Sequence, residues 1–163
     1  MLNAAVWCGS SIFLTLALPA LFSPDLKRVL SSAGVGFAAE AILSRYFILQ
    51  YCCGAIALAH LTAEWFYFGR RWPRLDTGLV VTVLALSLIG GLWMQPKMRA
   101  LHLVKYYGRT VEQQAQAGRA FGIWHGVSET ANVVIIGCLI WYFWRAGKMQ
   151  ESPRFVSFSK MRG

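Results

Sequence analysis

Four long runs of apolar residues, separated by polar stretches, organise this chain; they cover 3–22, 46–68, 77–95 and 121–144. A helix needs about 20 residues to cross the hydrocarbon of a bilayer, whereas a barrel strand needs about ten with alternating polarity. Every run is long enough for a helix and none alternates. The pattern predicts an all-α integral membrane four-helix bundle, with 1–145 as the membrane domain and 146–163 as a basic flexible tail. No Lys or Arg precedes the first run, which is longer than a signal-peptide core and has no A-x-A site after it. It reads as a retained span.

The polar stretches predict helices too. Ser23-Pro24-Asp25 supplies a capping hydroxyl, a proline at a first helical position and an acid at the positive helix end. A helix therefore starts at Pro24, lies near the membrane surface and leads into the second span. Arg70-Arg71-Trp72-Pro73-Arg74 breaks the chain into a tight antiparallel hairpin. From Pro96 to Arg119 the sequence is basic with few breakers beyond Gly108, which predicts amphipathic helix extending spans three and four or lying on the bilayer. These connecting helices fall on the side opposite the termini.

Composition supports the membrane reading. Only 14% of the 163 residues are charged and 56% are hydrophobic, against roughly 25% charged in a soluble domain. Sixteen Lys and Arg oppose seven Asp and Glu, for a net charge of +9. Nearly all the cations lie between the runs or after the last one, where they set topology and meet anionic lipid headgroups. No module of a nucleic-acid fold is present, so nucleic acid is not an expected partner. Four spans put both termini on one side, with Arg70, Arg71, Arg74, Arg145, Lys148, Arg154, Lys160 and Arg162. The other side has equally many: Lys27, Arg28, Arg45, Lys97, Arg99, Lys105, Arg109 and Arg119. The terminal side packs its cations more densely, which places both termini in the cytoplasm, although Lys27 and Arg28 argue the other way.

Lipid gives helices no hydrophobic reason to associate, so small residues carry much of the packing. Gly118, Gly122, Gly126 and Thr130 form such a ridge on the fourth span, with Ala5/Gly9 and Ser87/Gly91 as weaker versions. The ridge is expected to pack inside the bundle, with a homodimer seam as the alternative. Cys8, Cys52, Cys53 and Cys138 all fall in spans without a C-x-x-C spacing and read as packing residues.

Ionisable groups inside spans are costly and are functional candidates. Span two has His60 and Glu64, and span four has His125 and Glu129, both at i, i+4. With Ser128 and Asn132, the fourth-span residues share one helical face. Counting from the terminal-side cations, His60 and His125 differ by roughly 15 Å in depth, which argues against one haem held by both. Asn132 and Glu129 come closer to the level of His60, so these three are the expected polar centre, with Glu64 and His125 nearer opposite mouths. Mutual hydrogen bonding within the bundle is the competing, purely structural account of the stripes. Met94, Met98 and His102, four apart, are soft donors suited to Cu(I), though Pro96 interrupts their face. No nucleophile–base arrangement, P-loop or G-x-G-x-x-G is present, so the sequence makes no positive case for an enzyme.

Trp7-x-Gly9-Ser10, Phe13, Pro19-x-x-Phe22, Ala33-Gly34 and Tyr46-Phe47, then Phe121-x-x-x-His125-Gly126-x-Ser128 and Asn132, resemble the four-helix family called domain of unknown function 4149, the transmembrane protein 205-like group. The resemblance covers nearly all of the chain. It implies a four-span membrane protein with no activity established for the family, and it singles out His125. The first helix is more remotely similar to the copper-resistance D and bacterial protoporphyrinogen-oxidase J groups, which would imply copper or haem. The first span here departs from that pattern in having no histidine. Three functions follow as expectations. The first is binding or moving a small solute or ion along a polar seam between spans two and four. The second is haem- or copper-dependent membrane redox chemistry. The third is a structural subunit, with a second copy or another membrane protein as partner.

Overall fold

The computed structural model describes residues 1–68 and 74–150. It consists of helices α1 (Leu2–Leu21), α2 (Pro24–Phe68), α3 (Arg74–Ile89), α4 (Gln95–Tyr107) and α5 (Val111–Gln150), with one π-helical turn, Gly90–Met94, joining α3 to α4. No strand occurs among the described residues. Helix is what hydrocarbon demands, because each backbone N–H and C=O must find its partner within the segment. Four units are long and apolar enough to cross a membrane: α1, α2, the α3–α4 rod and α5. Phe13, Leu16, Phe66, Ile123 and Val133 stand exposed on the outside, an apolar surface that suits lipid and would be a liability in water. The residues 70–73 of the predicted break and the tail 151–163 lie outside the described residues, while 146–150 continue α5 as helix.

Local chemistry sets the element ends. Leu26 N–H donates to Ser23 Oγ at 3.5 Å, and the helix starts at Pro24 as its cap sequence predicts. Ser31 then breaks the regular backbone with φ 60° and ψ 161°. Its hydroxyl accepts a bond from Gly34 N–H at 3.3 Å and so caps the next segment. From there α2 runs unbroken to residue 68, about 55 Å. The sequence assigned only 46–68 to this span; the preceding 32–45 are helical as well. With α4 and the start of α5 they build a second tier beyond the end of α1, on the side opposite the termini.

Pro96 accounts for the π turn. Its ring would meet the carbonyl of Leu92, four residues back, in a regular helix, and the wider turn opens the rod there. Gly90 and Gly91 in this turn permit close approach of α2: a Cβ on Gly91 would lie 2.0 Å from Tyr51 Oη, and one on Gly90 would lie 2.9 Å from the Phe47 ring.

The helices form a ring. α1 packs on α2 and α5, α3 also packs on α2 and α5, and α2 and α5 are diagonal. The terminal half is solid, built around Trp7, Cys53, Ala57, Val80, Val83 and Leu139. At its mouth Asp76, in the first turn of α3, is buried and paired with Arg145 of α5 at 2.5 Å. Above the core lies a buried polar cluster. Trp7 Nε1–H donates to Gln50 Oε1, and the Gln50 amide donates to Ser11 Oγ at 2.9 Å. Tyr46 donates to the same hydroxyl at 3.1 Å, and Ser87 donates to Gln50 Oε1 at 3.5 Å. The predicted glycine ridge, in contrast, does not pack inside the bundle. Among the described residues nothing lies within 4 Å of a Cβ placed on Gly118, Gly122 or Gly126, and Thr130 is exposed. Ser87 and Gly91, the weaker motif, face α2 instead.

Gln50→Leu is expected to cost about 1–3 kcal/mol, because it leaves the Trp7 indole N–H without its acceptor in a dry interior. Thermal unfolding in detergent measures this, with exposed Cys52→Ala as a control that stays within about 0.5 kcal/mol of wild type.

Candidate functional site

Above the Gln50 cluster the bundle is hollow. A cavity of about 490 Å³ occupies the half opposite the termini, and all four spanning units line it. Each contributes one helical face. α1 presents Leu14, Leu18 and Phe22, and α2 presents Gly36, Glu40, Leu43 and Phe47. The α3–α4 rod adds Leu86, Gly90, Met94, Met98 and His102, and α5 adds Phe121, His125, Ser128, Asn132 and Ile135. Tyr46, bonded to Ser11, belongs to both the cavity wall and the cluster beneath it. Along α5 the lining from Phe121 to Ile135 spans about 21 Å.

An ion pair and a histidine–carboxylate contact stand on two walls. Arg99 Nε lies 3.2 Å from Glu40 Oε1, and His125 Nε2 lies 3.2 Å from Glu129 Oε1. The latter side chains are 47% and 69% exposed, so this pair is wet rather than sealed. Asn132 donates to Thr15 Oγ1 at 2.8 Å, tying α5 to α1. Gln95 bonds Ser44 and the Glu40 carbonyl, tying the rod to α2. An aromatic group rims the wall: His102 meets the rings of Tyr106 at 4.9 Å and Phe121 at 6.0 Å, and Phe121 stacks on His125 at 5.9 Å. Lys105 Nζ sits 5.4 Å from the Phe121 ring centre and Lys27 Nζ 5.9 Å from that of Phe22.

The sequence-predicted stripes do not meet. His125, Ser128, Glu129 and Asn132 all line the cavity, whereas His60 and Glu64 do not. His60 is exposed, and Glu64 is half-buried one turn further towards the terminal side. Since α2 and α5 are diagonal, they share no packed seam. Asn132 finds its partner on α1, and α2 enters the cavity through Glu40, a residue the sequence left in a connecting helix. Gln50, Arg99 and Lys105 were also missed as site residues. The four-residue spacings Gly36/Glu40/Ser44 and Gln95/Arg99 were the available signal, since each puts its members on one helical face.

Met94, Met98 and His102 do share the cavity wall, and the imidazoles are hemmed in by their neighbours. His102 Nε2 is closed in against Gly36, where a Cβ would lie 2.1 Å from it. His125 Nε2 is engaged by Glu129, and both rings contact Phe121. No group of three His, Cys, Asp or Glu side chains able to hold a metal occurs among the described residues. Both Nε2 atoms are thus already in contact with protein groups.

Gly36→Ala is expected to force the His102 ring outward and to destabilise the protein by about 1–3 kcal/mol. In a double-mutant cycle by thermal unfolding, His102→Ala should relieve most of that loss; additive effects would show the two positions to be uncoupled.

No curated protein and no solved structure matches this chain. One family model does, over residues 2–106. It covers α1, α2 and the α3–α4 rod, which together make three walls of the cavity, and it stops before Phe121, His125 and Asn132, narrower than the resemblance read from the sequence. The chain belongs to the family described as Domain of unknown function (DUF4149).

Proposed function

We propose that the protein is a non-enzymatic membrane binding protein that holds a small solute in the hollow half of its bundle. One observation carries this reading: a cavity of about 490 Å³ whose walls combine apolar side chains with polar and charged groups from all four spanning units, within the roughly 300–1,000 Å³ range of small-molecule sites. Binding is favoured over conduction. Beneath the cavity the Trp7–Gln50–Ser11–Ser87 cluster and the apolar core leave a solute no polar path to the terminal side. The α5 stripe then lines a pocket and not a route between spans two and four.

Filling the cavity tests the reading. Native mass spectrometry of the protein released from mild detergent should show a co-purifying small-molecule adduct. Leu43→Trp should remove it while leaving the elution volume and helical content unchanged. The same adducts on both proteins, or a bare wild type, would overturn the proposal.

A further inference from the structure

The cavity's charge and shape narrow its occupant further, on the assumption that it is a binding site at all. Glu40 and Glu129 line it; Glu40 is paired with Arg99, and Glu129 is in contact with His125. Two further cations line it, Lys27 and Lys105. Among the described residues neither has a carboxylate within ion-pair distance. Their ammonium groups are held over aromatic rings at 5.9 Å from Phe22 and 5.2 Å from Tyr106. Both belong to the end of the cavity remote from the Gln50 cluster. Lys27 lies on the helix before the Ser31 break and Lys105 in the last turn of α4. Lys27 and Ser32 are exposed there, as are Thr15, Pro19, His125 and Glu129 on the α1 and α5 walls, so the cavity opens at this end, beyond α1, and along those two walls. The interior between that mouth and the cluster is walled by Leu14, Leu18, Leu43, Phe47, Leu86 and Ile135.

We infer that the cavity takes a single-chain anionic amphiphile, with its carboxylate or phosphate head between Lys27 and Lys105 and its hydrocarbon chain running down towards Tyr46. Three features fit together. The head site has positive charge that the protein's own acids do not neutralise. The leucines, Phe47 and Ile135 give the walls below it a largely apolar surface over the roughly 20 Å of the α5 lining, on which Ser128, Glu129 and Asn132 are the polar exceptions nearest the cluster. The mouth lies where α1 ends, at the level of lipid headgroups, so an amphiphile enters from the leaflet with its charge already at the right height. Each lysine at such a surface is worth about a fivefold change in anion affinity.

Myristate and its uncharged counterpart, myristyl alcohol, are the probes, with acetate and inorganic phosphate as head-only controls. Binding to the full chain in nonionic detergent is followed by native mass spectrometry and thermal shift. Myristate should bind one to one and about tenfold or more tighter than the alcohol, and neither head-only anion should bind. The double variant Lys27→Gln/Lys105→Gln changes exposed or half-exposed side chains. It should weaken myristate about 25-fold and leave the alcohol unchanged. Leu43→Trp should abolish both. Equal binding of myristate and alcohol, indifferent to the lysines but lost in Leu43→Trp, would overturn the anionic head site and leave the binding cavity standing. Acetate or phosphate matching myristate would replace the amphiphile with a free anion. Myristate binding undiminished by Leu43→Trp would overturn the cavity reading itself.

Discussion

A primary amide in the middle of a membrane protein constrains everything around it. Gln50 is 1% exposed and has both donor and acceptor groups, none of which hydrocarbon can satisfy. Its partners come from α1 and α3, through Trp7, Ser11 and Ser87. Meeting them fixes three of the four spans at one depth and one rotation. Satisfied amide networks of this kind specify a unique bundle better than apolar packing does, since any slip strands a polar atom. The cluster also marks a boundary. Below it small and branched side chains close the bundle; above it they do not.

The hollow half has its own supports. α1 ends at Leu21, so one wall stops short while the other three continue. What keeps those walls apart is polar and directional: Arg99 against Glu40, Gln95 against Ser44, Asn132 against Thr15. The tight contact of His102 with Gly36 sets the distance between α4 and α2. Apolar residues alone would collapse such a space, because nothing in their packing favours a gap. Oriented hydrogen bonds between helix pairs hold it at a fixed width.

Much of this was legible in the sequence, for local reasons. The four spans follow from run length, and the helix start at Pro24 from its cap chemistry. The continuation of the spans into the connecting segments was foreseen for the stretch after Pro96; helix was expected from Pro24 onward, but not that 32–45 would lengthen the second span. Those residues turn Val35 and Ala39 inward with Glu40 and Ser44, while Phe37 and Ile42 face outward. The stripe on α5 was visible by period, yet a period says which residues share a face and not what the face meets. His60 and His125 look alike in sequence; one is exposed outside the cavity and the other lines it. Helix order around the ring decides that, and order is set by long-range contacts. Gln50 carries no charge and so gives no ionisable signal in the sequence, although a buried amide makes equal demands on its neighbours. The glycine spacing on α5 was legible as a motif, and its outward direction was not.

The unequal lengths of the helices bear on the bilayer itself. α1 spans about 30 Å, and the chain turns directly from it into the short helical segment before Ser31, whereas the other units continue for about 50–60 Å. A helix mismatched to its membrane ordinarily adjusts by tilting. α1 is bonded to α2 and α5 through Ser11 and Thr15, so it tilts only with the whole bundle. In a thicker bilayer the lipid next to Phe22 must therefore thin to meet it, while on the far side of the protein it need not. In such a bilayer the depression would fall in one leaflet only, on the side of the protein where α1 ends.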